Sequence, residues 1–148
     1  MRFFGAITAI TSLFLSYASA VNAQSQSIDD DARAAIANLI SEITECSVFY
    51  GIIGQGKDSS GKQTSVGKKF QNLSEELILT SADLAATVGM KPETVFAMAE
   101  GYSNEMGSKI GYDAINIRIL TNEYGAFCKG LTEDPAGRLT YWMKKEAS

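Results

Sequence analysis

The chain has 148 residues, a formal charge of −4, a hydrophobic fraction of 45% and no histidine. That apolar content excludes a disordered chain, and the acidic balance argues against a phosphate-backbone partner, so no nucleic acid is expected. Without histidine, Ser-His-Asp and Cys-His catalysis, histidine-bearing zinc sites, the Glu-x-x-His di-iron signature and c-type haem attachment are all ruled out.

The first elements are those of a secretory signal peptide. Met1-Arg2 gives a positive start, Phe3 to Leu15 is apolar, and Ala18-Ser19-Ala20-Val21-Asn22-Ala23 offers two small-x-small cleavage sites. The apolar run falls short of the roughly 20 residues that a membrane-spanning helix needs. Residues 1–23 are expected to be cleaved, with cleavage after Ala20 as the alternative. Residues 24–148 then form one α-helical domain with no stable membrane anchor, exported to the periplasm or outside the cell. Without Arg2, 12 basic side chains face 17 acidic ones, for a formal charge of −5.

Two cysteines remain, Cys46 and Cys128. In an oxidising compartment they are expected to form a disulfide. Closing a loop of about 80 residues stabilises by roughly 4.5 kcal/mol in the chain-entropy model.

Asp29-Asp30-Asp31 supplies an N-cap and acidic first-turn residues for the first helix. Ala32, Ile36, Leu39, Ile43, Cys46, Tyr50 and Ile53 then repeat at heptad-like spacing, widened by Ile40 and Phe49. Gly51 and Gly54 either end this helix or let another backbone approach closely. A glycine- and serine-rich connector spans about 54–64 and is expected to be flexible. Gly51 to Lys57 fits the first seven positions of a phosphate-cradling loop, but Asp58 replaces the required Ser or Thr. Gly56 to Lys62 repeats the near-miss with Gln63 in last place, so a connector is the better reading.

The second helix is expected from Ser65 to Val88, with Val66, Phe70, Leu73, Leu77, Leu84 and Val88 on one face, Ser81 in a gap and Gly89 as its stop. The Asn72-Leu73-Ser74 tripeptide matches a glycosylation acceptor but falls on this helix. From Pro92 to Lys129 apolar residues return at helical spacing, interrupted by Asp113 and weakened by Gly101, Gly107 and Gly111. The disulfide argument favours one long helix, bent near Gly107–Gly111 and parallel to the first, so that both cysteines lie at a shared end. Asp134 as N-cap and Pro135 at the first position start a short C-terminal helix to about Lys145. The expected fold is all-α: an up-down bundle of three main helices plus that short one.

Asp113 and Asn116 are a candidate polar core pair or ligand site, since the rhythm places Asp113 on the apolar face. Tyr102, Tyr112, Tyr124, Tyr141 and Trp142 are a candidate interaction surface. Glu42 with Glu45, or Asp113 with Glu123, could in principle form an acid–base pair, and solvated helix surface is the simpler account of them. Met90, Met98 and Met106 read as gap fillers rather than a soft-metal site. No catalytic residue, metal or cofactor is assigned. The expected role is non-enzymatic binding of a macromolecular partner, as an inhibitor, immunity-type or envelope-associated factor. A carrier with an apolar cavity near the Gly107–Gly111 bend is the alternative, and a carboxylate hydrolase the second alternative.

Overall fold

The computed structural model describes residues 29–56 and 60–148. The signal-peptide reading, residues 24–28 and the middle of the connector lie outside the described residues. The α-helices are α1 (Asp30–Ile53), α2 (Ser65–Thr87), α3 (Pro92–Lys109), α4 (Ile117–Glu133) and α5 (Pro135–Glu146), with a 3-10 turn at Ala114–Asn116 between α3 and α4. Local chemistry sets the boundaries as expected. Asp29 accepts from the Ala32 amide at 2.7 Å, Pro92 and Pro135 open their helices, and the Asp134 carboxylate accepts from the Gly137 amide at 2.8 Å.

Glycine in the left-handed region ends α2 and α3 in the same way. Gly89 (φ 72°) lets the Met90 amide reach the Ala85 carbonyl at 2.9 Å, and Gly111 (φ 62°) lets the Tyr112 amide reach the Gly107 carbonyl at 2.8 Å. The second of these stops corrects one expectation. Pro92 to Lys129 is not one bent helix but α3 and α4, divided at the expected glycines.

Helix α1 is the axis of the molecule, and its neighbours' directions follow from their contacts. The Arg33 side chain donates to the Val88 carbonyl and Ser47 to the Ser74 carbonyl, so α2 runs antiparallel to α1. The hydroxyls of Ser41 and Tyr102 are 2.6 Å apart, while Glu45 faces Glu105, so α3 runs parallel. Phe49 packs on Tyr124 with ring centroids 6.1 Å apart and Cys46 is bridged to Cys128, so α4 runs antiparallel. Glu42 binds Arg138 and Asn38 binds Glu146, so α5 continues down α1 in the same sense.

The Cys46–Cys128 disulfide forms as expected, with Cα atoms 5.3 Å apart. It does so although Cys128 sits on a helix antiparallel to α1. Matching cysteines at helix ends was the wrong geometric criterion. Cys46 is about two turns from the end of α1 and Cys128 about three turns from the start of α4, so the depths nearly match.

Most of the core lies between α1, α3 and α4, around Phe49, Met106, Leu120 and the disulfide. A second cluster joins Ile40 of α1 to Ala85, Val88 and Val95, with Met90 and Met98 filling its edge. Where the end of α1 meets the start of α2, small residues let the two backbones come close. A Cβ on Gly67 would lie 2.8 Å from the Gly54 carbonyl oxygen, and one on Gly51 would lie 3.0 Å from the Ser74 hydroxyl. Gly54 caps α1, so both readings of these glycines hold. By length and composition α1 would suffice to cross a membrane; here its apolar sides are spent on the surrounding helices.

Candidate functional site

The end of the bundle where α1 stops is incompletely filled. A groove of about 880 Å³ opens there, bounded by the last residues of α1, the start of α2, the end of α3 and the start of α4. Its apolar wall is Ile52 and Ile53 of α1, Phe70 of α2, Ile110 and Ile117. Phe70 also stacks on the buried Tyr50, with centroids 5.6 Å apart. The facing wall is made of small side chains: Ser103, Asn104 and Gly107 on successive turns of α3, then Ala114 and Thr121. Those side chains are too short to meet the isoleucines opposite, so the space stays open. Gln55 and Gly56 complete the rim.

Tyr112 forms part of the lining and is the only non-glycine described residue with positive φ, at 55°. A Cβ on Gly107 would lie 2.5 Å from its ring, so glycine there allows the ring to lie flat on α3. Left-handed backbone costs a non-glycine residue roughly 1 kcal/mol or more, and such residues concentrate at ligand sites. Ile115, next along the turn, is 86% exposed, and Ile119 is also exposed.

Behind the groove, Lys109 ties α3 to α4. Its ammonium donates to Glu123 and to the Tyr124 hydroxyl, and pairs with Glu105 at 3.0 Å. These donations, to Glu123 first, hold the Lys109 ammonium well above the ordinary lysine range. Burial pushes the Tyr124 phenol up, with Lys109 opposing. Burial, with Glu105 next, likewise raises the Glu45 carboxyl from α1.

The middle of α1 is covered by α5. Arg138 makes a two-point ion pair with Glu42, which also accepts from the Trp142 indole at 3.0 Å. The guanidinium lies 4.3 Å from the Tyr141 ring centre. A shallow cleft of about 350 Å³ between α4 and α5 is lined in part by this already paired arginine.

The sequence-derived candidates are therefore dispersed. Asp113 is exposed and caps the 3-10 turn by accepting from the Ile115 amide at 2.9 Å, so it is not a polar core residue. It escapes the apolar face because the chain turns there. Asn116 donates to the Ile110 carbonyl at 3.0 Å, so both residues shape the turn beneath the groove. Tyr124 is core and Tyr102 is half-buried against Ser41, while Tyr112 stands at the groove and Tyr141 with Trp142 at the α5 end. They do not form one surface. Glu42 and Glu45 have different partners, as do Asp113 and Glu123. Among the described residues no group of three or more side chains has the arrangement of a metal site. The groove's apolar wall was visible in the sequence only as core-like isoleucines; the facing run Ser103-Asn104…Gly107 was the signal, being short side chains on a face that should be filled.

No protein-family model matches the chain, and comparison with curated proteins and with solved structures finds no match either.

Proposed function

We propose that this is an exported, non-enzymatic protein that holds a small, largely apolar ligand in the groove at the open end of the bundle. The observation that carries the reading is the groove itself: about 880 Å³ with a continuous isoleucine and phenylalanine wall and a few polar groups at its rim. That is the size and make-up of small-molecule sites, and the gaps between bundle helices are a recurring place for them. Tyr112, held in left-handed backbone at the mouth, supports it, because the fold bears a local cost to keep a ring there. Export is supported by the N-terminal sequence pattern and by the disulfide.

The test is the binding of a neutral fluorescent dye that brightens in apolar surroundings. The wild-type chain is expected to bind it at micromolar concentration and to melt higher in its presence. Ser103→Trp places an indole in the open space from an exposed position and is expected to abolish binding without unfolding the protein. A dye that binds the Ser103→Trp variant as well as wild type would remove the groove as the site.

A second reading is favoured by one further observation, the exposure of Ile115 and Tyr112 on the turn beside the groove. In it, an apolar segment of a protein partner docks over the mouth and the protein acts as a binding factor for that partner. Ile115→Asp would then abolish retention of the partner while leaving dye binding intact.

A further inference from the structure

The two walls of the groove differ in what they offer a ligand. Ile52, Ile53 and Phe70 present only carbon, whereas Ser103 and Asn104 of α3 bring a hydroxyl and a carboxamide to the opposite side. Other polar side chains in this part of the fold are spent on the protein itself. Thr121 donates to the Ile117 carbonyl at 3.3 Å, and Asn116 donates to the Ile110 carbonyl at 3.0 Å. Among the described residues the Ser103 and Asn104 side chains have no hydrogen-bond partner, so their capacity is free for a ligand.

That wall is polar without being charged. Between Ser103 and Glu123 the sequence carries Glu105, Lys109, Asp113, Arg118 and Glu123. Among the described residues no carboxylate, ammonium or guanidinium lines the groove. Lys109 holds Glu105 and Glu123, Asp113 caps the 3-10 turn, and Arg118 is exposed outside the lining. An ion taken into an apolar groove without a counter-ion is strongly disfavoured. A neutral polar group costs little there if it finds a hydrogen-bond partner. The Asn104 carboxamide can be that partner for either role, because it both donates and accepts.

We propose that the ligand is an uncharged amphiphile whose polar group is a neutral donor and acceptor, a hydroxyl or a carboxamide, and that Asn104 is the residue that selects it. The hydrocarbon body lies on Ile52, Ile53 and Phe70, and the polar group exchanges hydrogen bonds with Asn104 across from them. The inference rests on the groove being a ligand site. It adds the class of the ligand's polar group and the side chain that reads it.

The experiment is displacement of neutral N-phenyl-1-naphthylamine from the full disulfide-bonded chain at about pH 8, where decanoate is ionised. The competitors are decanol, decanoate and decyltrimethylammonium, each below its solubility limit or micelle concentration. Decanol is expected to displace the dye at a concentration roughly tenfold below either ion. Because an alcohol also partitions better into any apolar site, variants at the exposed position 104 locate the polar group. Asn104→Leu keeps the bulk and removes the hydrogen bonds. It is expected to lower the ratio of decanol affinity to dye affinity about fivefold. Asn104→Asp is expected to shift the ranking of the two ions about fivefold towards decyltrimethylammonium, and Asn104→Lys to shift it towards decanoate. Either ion matching decanol on the wild-type chain overturns the neutral class. An Asn104→Leu variant that keeps the wild-type ratio, or charged variants that leave the ranking of the ions unmoved, overturns Asn104 as the selecting residue. Both of those results leave the apolar groove standing. Absence of dye binding to the wild-type chain removes the groove reading, and this inference with it.

Discussion

The middle of α1 and its C-terminal end are built on opposite principles. Along the middle, under α5, side chains reach across and satisfy one another: Glu42 accepts from Arg138 and Trp142, and Asn38 donates to Glu146. At the groove end, α1 stops at Ile53 and the lining includes serine, asparagine and glycine from α3. One stretch spends its polar groups on stability and the other leaves its surface available. Between them the disulfide and the Phe49–Tyr124 contact hold α4 to α1.

Three changes probe that contrast, beginning with the largest. Replacing both Cys46 and Cys128 by serine frees the ends of a loop of 82 residues' separation. It should lower the free energy of unfolding by up to about 4 kcal/mol in denaturant titration. Because Cys46 lies one turn from Glu42 and two turns from Ile53, the loss should be felt both under α5 and at the groove. Glu42→Ala strands the Arg138 guanidinium and the Trp142 indole in a half-buried setting, for a loss of about 2 kcal/mol. That change should loosen α5, read as faster amide exchange there, and leave dye binding at the groove unaltered. If dye binding fell in parallel, the α5 contact and the groove would not be independent.

The smallest effect concerns Glu45, which faces Lys109, Glu105, Glu42 and Glu123 from beneath the α3–α4 tie. Burial raises its carboxyl above the reference 4.5, so the folded chain binds that proton more tightly than the unfolded one. The group's contribution is therefore most favourable at acid pH and is lost as pH rises from the unfolded value through the raised folded one. Glu45→Gln should raise the melting temperature at pH 7 by about 1 °C and flatten its pH dependence across that window. A lower melting temperature would show that Lys109 outweighs burial at this carboxylate.

Helix starts and stops were legible because they depend on neighbours in sequence: Asp29 and Asp134 as caps, Pro92 and Pro135 at first positions, Gly89 as a stop. Gly111 belongs to the same class, since a left-handed stop ends a helix where a bend would continue it. The buried Thr44 and Ser47 of α1 were not legible. Their hydroxyls are satisfied by the Ile40 and Ser74 carbonyls, the latter a partner 27 residues away. Asp113 was misplaced for a related reason. A helical rhythm carried through a turn assigns faces to residues that are no longer on a helix.

The sequence by itself determined the all-α class, the disulfide and most helix boundaries, because capping, backbone conformation and cysteine number are local or countable properties. Tertiary structure decided the direction of α4, the central place of α1 and the groove. Each depends on which faces meet, and a periodic pattern shows that a face is apolar without showing whether its partner is large enough to fill the space opposite. At the groove end the answer is set by Ser103, Asn104 and Gly107, whose short side chains leave Ile52 and Ile53 packed on the core on one side and lining open space on the other.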